Sequence, residues 1–144
     1  MRIFVDTSII LAFLAGQDNR SRELVKEVEK REIDGYINPL VVDEVIYGYL
    51  RLTTGLSSRR IRKLLAKRDK RPVGLVKNDV WPVLKLFTTL PLKGEPGEII
   101  RFMEEYGLMP ADAIITLTCK QHEITTIATL DKDFKRVPWI KVVP

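Results

Sequence analysis

The chain opens on an apolar run, Ile3–Val5, that stops at a carboxylate, Asp6, followed by two hydroxyls, Thr7 and Ser8. β-Branched and aromatic residues over Arg2–Val5 predict a short buried strand. The apolar stretch that follows predicts a helix from Ser8 to Ala15, stopped by Gly16. In "NRSRELVKEVEKREIDG", Leu24, Val25 and Val28 recur at helical spacing among charges, which predicts an amphipathic helix ended by Gly35. "YINP" predicts a second strand, and Pro39 opens a helix that carries Val41, Val42, Val45, Tyr49 and Leu52 to a stop at Gly55. "SSRRIRKLLAKRDKRP" predicts a helix capped by Ser57 or Ser58 and ended by Pro72, with Ile61, Leu64 and Leu65 as its buried stripe. Further helices are predicted over Asn78–Phe87, over "EPGEIIRFMEEYG" and over "LMPADAIITLTCKQHE", the last starting at Pro110. "TLPLKG", "ITTIATL" and "WIKVVP" predict strands.

Short buried strands alternate with amphipathic helices. That pattern predicts an α/β fold, a three-layer α/β/α sandwich around a mostly parallel central sheet. No repeat, low-complexity tract or linker divides the 144 residues, so a single domain spanning 1–144 is expected, long enough to close a hydrophobic core.

The formal charge of +5 and a pI of about 9.4 suit an anionic partner, nucleic acid being the commonest, without requiring one. One cysteine, Cys119, excludes an intramolecular disulfide framework and a cysteine-rich zinc site, and a reducing, cytoplasmic setting is expected. Arg2 ahead of an apolar run imitates a secretory leader, but Asp6 interrupts the run and no small-residue cleavage site follows. No stretch reaches the length that spans a bilayer, and no membrane association is expected.

Most acidic residues lie in polar runs, as solvated surface does. Four do not: Asp6 and Asp131 each follow a predicted strand, Asp112 falls in the first turn of an almost uncharged helix, and Glu44 lies one turn inside a largely apolar helix. In open α/β sheets ligands sit beyond the carboxyl ends of the strands, and all four residues are predicted at that edge. Each alone admits a simpler role: a helix cap for Asp6, a helix-terminus charge for Asp112, an ion pair with Arg51 or another cation for Glu44, a turn residue for Asp131. Gathered together they repel one another and need cations to stay ionised. Oxygen donors with no His or Cys nearby select Mg²⁺ or Mn²⁺.

"FVDTS", Glu44 in "VVDEV", "PADAII" and "ATLDKDF", in this order, resemble the PIN domain, and most closely the VapC-type toxin branch of PIN ribonucleases. The resemblance covers essentially the whole chain. It implies metal-dependent hydrolysis of RNA phosphodiester bonds, with the acidic quartet of the family on Asp6, Glu44, Asp112 and Asp131. Thr7, Ser8 and Thr129 occupy the supporting hydroxyl positions, and Asp133 is a further candidate metal ligand. Asp43 adjoins Glu44, but successive helical residues point about 100° apart, so one of the two enters the site, and the family pattern takes Glu44. The resemblance also implies a small antitoxin partner and a homodimer.

A single histidine, His122, excludes a paired-histidine ribonuclease mechanism and is expected in a surface or capping role. Arg59, Arg60, Arg62, Lys63, Lys67 and Arg68 lie off the apolar stripe of their helix and are candidates for the RNA backbone; a solvated face and a docking surface for an acidic partner are the other readings. Tyr47, Tyr49, Trp81 and Trp139 could stack bases, though core packing is expected for most of them. An aspartyl phosphatase would need a second Asp where Ser8 stands. The remaining alternative is a catalytically inactive PIN-like module that binds RNA or protein without cutting.

Overall fold

Burial on both faces of a parallel sheet demands near-continuous apolar strands, and Ile3, Phe4, Val5, Ile127 and Ala128 are all buried. The computed structural model describes residues 1–144. Its strands are β1 (Arg2–Val5), β2 (Asp34–Ile37), β3 (Thr88–Thr89), β4 (Thr126–Ala128) and β5 (Lys141–Val143). They form one sheet in the order β3-β2-β1-β4-β5, and every pairing is parallel. The register sets Ile3 opposite Gly35 and Val5 opposite Ala128.

The connections carry α1 (Thr7–Ala15), α2 (Asn19–Glu29), α3 (Pro39–Thr54), α4 (Ser58–Ala66), α5 (Lys70–Leu75), α6 (Trp81–Leu84), α7 (Pro96–Tyr106) and α8 (Pro110–Gln121). From β1 the chain steps outward to β2 and β3, then returns to β4 on the other side of β1 and continues to β5. Right-handed crossovers therefore put α1–α6 over one face and α7 and α8 over the other, which completes the three layers. The reversal of strand order falls between β1 and β4, and the crevice outside their carboxyl ends is where such sheets bind ligands. The core beneath is a single cluster of 29 buried apolar residues.

Several boundaries differ from those the apolar pattern predicts. The second helix ends at Glu29, and Arg31, with φ 61°, turns the chain. Gly35 is no helix stop. It lies inside β2, where an added Cβ would stand 2.8 Å from Phe87 Cδ1 and 3.0 Å from Val28 Cγ1, so the strand is glycine because two core side chains close over it. The basic helix does not run to Pro72: α4 ends at Ala66, Arg68 adopts φ 58°, and Asp69 caps a new helix by accepting from Arg71 N. Pro72 sits in the first turn of α5, where its missing N–H leaves no bond unmade. The helix expected over Asn78–Phe87 is a π turn at Val76–Val80 running into α6 and ending at Leu84. "TLPLKG" forms no strand of its own: β3 covers Thr88–Thr89, and Leu90 N extends the pairing with a 2.8 Å bond to Ile37 O. Of the expected stripe on α4, Ile61 is buried, Leu64 half-buried and Leu65 exposed. Tyr47 and Trp81 are 45% and 58% exposed rather than core residues, whereas Tyr49 and Trp139 pack against the core.

Candidate active site

Asp6 comes directly after β1, and its backbone N–H extends the sheet by donating to Ala128 O at 2.9 Å. Its side chain is buried and accepts three hydrogen bonds. Oδ1 accepts from Thr7 N at 2.8 Å, and Oδ2 accepts from Thr129 Oγ1 at 2.7 Å and Ser8 Oγ at 3.2 Å. Asp6 is therefore the cap of α1 and also part of the crevice; the two roles coexist because three hydrogen bonds leave one of a carboxylate's roughly four acceptor positions open. Both hydroxyls are oriented in turn, since Ser8 Oγ accepts from Leu130 N and Thr129 Oγ1 from Asp131 N, each at 3.0 Å. The ends of β1 and β4 are thereby tied together through Asp6.

Glu44 reaches the same crevice from α3. Asn38, fully buried, starts that helix: its Oδ1 accepts from Val41 N at 3.0 Å while its Nδ2 donates to Thr118 Oγ1 of α8 at 3.1 Å. One helical turn later Glu44 Oε1 accepts from Thr7 Oγ1 at 3.3 Å. Asp43 points outward and is exposed. Asp112 stands in the first turn of α8, after Pro110 has set the helix start. Asp131 and Asp133 lie on the loop after β4, where Asp131 Oδ1 accepts from Asp133 N at 2.9 Å. Asp112, Asp131 and Asp133 each bring a carboxylate oxygen within 4.8 Å of the others.

Asp112, Asp131 and Asp133 thus share one cluster, with Asp6 and Glu44 at its border, close enough for their charges to act on Asp112. Burial, then the charges of Asp6, Asp131, Asp133 and Glu44, push the Asp112 carboxyl up to about 6. Burial also raises Asp6, partly offset by its hydrogen bonds from Thr129, Thr7 and Ser8. Glu44 is raised by burial and by the Asp6 charge, with Thr7 opposing. The donor set is oxygen throughout, with no His or Cys, which fits a hard divalent cation.

The raised Asp112 has a measurable consequence. A carboxyl that holds its proton more tightly when folded adds stability below its unfolded value near 3.8, and that stability is lost as pH rises through about 6. Asp112 is only half-buried, so solvent screening limits the effect to on the order of 1 kcal/mol. Metal-free protein is expected to melt at lower temperature at pH 7 than at pH 5, and Asp112→Asn to flatten that slope. An equal slope in the variant would show that Asp112 is not the group responsible.

The six basic candidates, Arg59, Arg60, Arg62, Lys63, Lys67 and Arg68, are all exposed. They stand apart from the carboxylates: α4 packs chiefly on α5, beyond the end of α3. Thr54, where α3 ends, is about 15 Å along the helix from Glu44 at a rise of about 1.5 Å per residue. Arg60, Lys63, Lys67 and Arg71 rim a groove of about 550 Å³ floored by Leu64 and Leu75. His122 lies at the opposite end of α8 from Asp112, about 15 Å away on the same rise. Its backbone caps α8, and its Nε2 is buried without a protein partner.

Two residues of the site lie outside what the sequence pattern singles out. Asn38 carried a signal, an amide immediately before a proline that opens a helix. Arg136 carried none beyond its place three residues after Asp133. It is the one basic side chain within ion-pair distance of the cluster, with Nη2 3.0 Å from Asp133 Oδ1 and Nη1 donating to Gly107 O at 2.9 Å.

Fold and site together define a class: an α/β protein with an oxygen-only carboxylate cluster at the switch point of a parallel sheet. A sequence model of the PIN domain matches residues 3–140, and the chain belongs to the PIN-domain family. Ribonuclease VapC2 of Methanocaldococcus jannaschii is 34% identical over 146 residues, covering 99% of this chain and 93% of that protein. Among solved structures, FitAB bound to an IR36 DNA fragment superposes with a TM-score of 0.66 at 25% identity, covering 98% of this chain and 93% of that one. A toxin–antitoxin complex from Klebsiella pneumoniae superposes at 0.62 with 19% identity, covering 99% and 96%.

Proposed function

We propose that this chain, acting as one domain over 1–144, is a metal-dependent endoribonuclease and the toxin of a type II toxin–antitoxin pair. The observation that carries the reading is the meeting of Asp112, Asp131 and Asp133, with Asp6 and Glu44 alongside, at the carboxyl edge of β1 and β4. Its similarity to Ribonuclease VapC2 supplies the substrate class, RNA. A module that binds without cutting is disfavoured, since every expected carboxylate position is filled.

Asp6, Glu44, Asp112, Asp131 and Asp133 would hold Mg²⁺ or Mn²⁺. When bound, such an ion supplies Lewis-acid polarisation of the phosphodiester and a water more acidic than bulk water. The chain's own part is to hold donors in place. Thr129, Ser8 and the Thr7 amide fix the Asp6 carboxylate, and the Thr7 hydroxyl fixes Glu44. Asp112 keeps a proton up to about pH 6 in the metal-free protein and must lose it to become a ligand, so metal affinity falls below that pH. No side chain is set up as a nucleophile: Ser8 Oγ and Thr129 Oγ1 already donate to Asp6, and no imidazole lies nearby to activate either.

The exposed cations on α4 would contact RNA phosphates, giving affinity without sequence choice. Reversing two of them, Arg62→Glu with Lys63→Glu, is expected to weaken RNA binding and to make its salt dependence shallower, by about one unit of slope for each phosphate left without its cation. An unchanged salt slope would return α4 to plain solvated surface. The antitoxin, a homodimer and a cytoplasmic setting belong to the same proposal; the fold shared with a toxin–antitoxin complex supports the first, and the free, buried Cys119 agrees with the last. No helix is long and apolar enough to cross a membrane.

The test is cleavage of mixed RNA by the wild-type protein with Mg²⁺, with Mn²⁺ and with EDTA. Cutting with either ion and none with EDTA is expected. Absence of cutting under all three conditions would overturn the ribonuclease reading.

A further inference from the structure

We infer that Arg136 is a positioning residue that sets Asp133 against Asp112 and so prepares the acidic cluster for its cation. The inference rests on the metal-dependent reading above. The cluster is assembled from two stretches of chain, the start of α8 carrying Asp112 and the loop after β4 carrying Asp131 and Asp133. Like charges brought this close drive the stretches apart unless something joins them.

Arg136 joins them with one planar group. Its Nη2 lies 3.0 Å from Asp133 Oδ1, and its Nη1 donates to Gly107 O at 2.9 Å. Gly107 ends α7 with φ 65°, and Leu108 and Met109 alone separate it from the proline that opens α8. The guanidinium is a rigid fork, so fixing one nitrogen on the turn and the other on the carboxylate fixes the carboxylate relative to the turn. A lysine, with a compact ammonium on a flexible stem, cannot impose that geometry. Neighbouring contacts hold the arginine's own segment in place: Phe134 is fully buried, and Trp139 Nε1 donates to Tyr106 Oη at 3.1 Å.

A guanidinium near a cation site also repels the cation. Here that opposing effect is the weaker one. The Arg136 and Asp133 side chains are 53% and 37% exposed, so water and salt weaken the repulsion, while the direct contact at 3.0 Å lies well inside the screening length of about 10 Å and is weakened less. Partners that orient a ligand in this way change metal affinity by about 10- to 100-fold when removed.

The experiment is Mn²⁺ titration of the full chain by calorimetry at pH 7.5, comparing wild type, Arg136→Met, Arg136→Lys, Asp133→Asn and the double variant Arg136→Met with Asp133→Asn. Circular dichroism and thermal melts report folding. Mn²⁺ affinity is expected to fall about tenfold or more in Arg136→Met and by a lesser amount in Arg136→Lys. In the Asp133→Asn background, Arg136→Met is expected to change nothing further, a result that a general loss of structure would not give. Mn²⁺ binding by Arg136→Met as tight as wild type, or tighter, would overturn the positioning role while leaving the metal site standing. An equal loss with and without Asp133 would overturn it as well. No binding by the wild type would overturn the metal reading, and this inference with it.

Discussion

Asp112→Asn is expected to cut metal-dependent RNA cleavage by at least about 100-fold, the upper end of what losing a mere orienting partner costs a metal site. The substitution keeps shape and volume and removes one negative charge from the cluster. Two effects on the metal-free fold oppose each other. The start of α8 loses a favourable charge, worth about 0.3–1 kcal/mol. The Asp112 carboxyl, pushed up to about 6 by burial and by Asp6, Asp131, Asp133 and Glu44, no longer has to ionise among like charges at pH 7. These nearly cancel, so activity should collapse while the melting temperature at pH 7 holds. Asp6→Asn is expected to lose cleavage to a similar degree. Activity of Asp112→Asn within tenfold of wild type, with the fold intact, would show that catalysis does not use this carboxylate.

The second large effect concerns stability. Phe134 is fully buried in the short 3₁₀ turn Asp133–Arg136, between the last acidic residue and its arginine. Phe134→Ala should destabilise the protein by about 3–5 kcal/mol, from lost burial and from the cavity left behind. That is a large part of the roughly 5–15 kcal/mol that holds a domain of this kind together. Denaturant unfolding checks it. A loss below about 1 kcal/mol would mean that the turn repacks freely and does not anchor the acidic loop.

The proline and glycine punctuation explains why so much of the architecture was legible. Pro39 and Pro110 open α3 and α8, and Gly16, Gly55 and Gly107 close α1, α3 and α7 with φ near 65°; each acts through its own backbone, independently of what packs around it. The carboxylates could be placed for a similar reason. A charge at the end of an apolar strand identifies both the edge and the side of the sheet on which it emerges.

What escaped was decided by tertiary contacts or by side chains acting as backbone partners. Gly35 looks like a helix stop until Phe87 and Val28 are seen closing over it. The break at Arg68 depends on Asp69 offering its carboxylate to Arg71, which restarts the helix where the apolar pattern reads straight through. Core packing is expected for most of the four large aromatics, yet Trp81 falls where the π turn at Val76–Val80 enters α6 and is 58% exposed. The contact of Arg136 with Gly107 joins positions that no local pattern connects.

The wide separation of the site residues along the chain bears on when activity first becomes possible during synthesis. Thr129 fixes the carboxylate of Asp6 from 123 positions downstream, and β4 must dock beside β1 before that bond exists. Asp131 and Asp133 follow within a few residues. A growing polypeptide that has exposed only β1, β2 and β3 carries two of the carboxylates and no assembled centre. The carboxylates therefore cannot gather until β4 and the loop behind it have left the ribosome and docked beside β1.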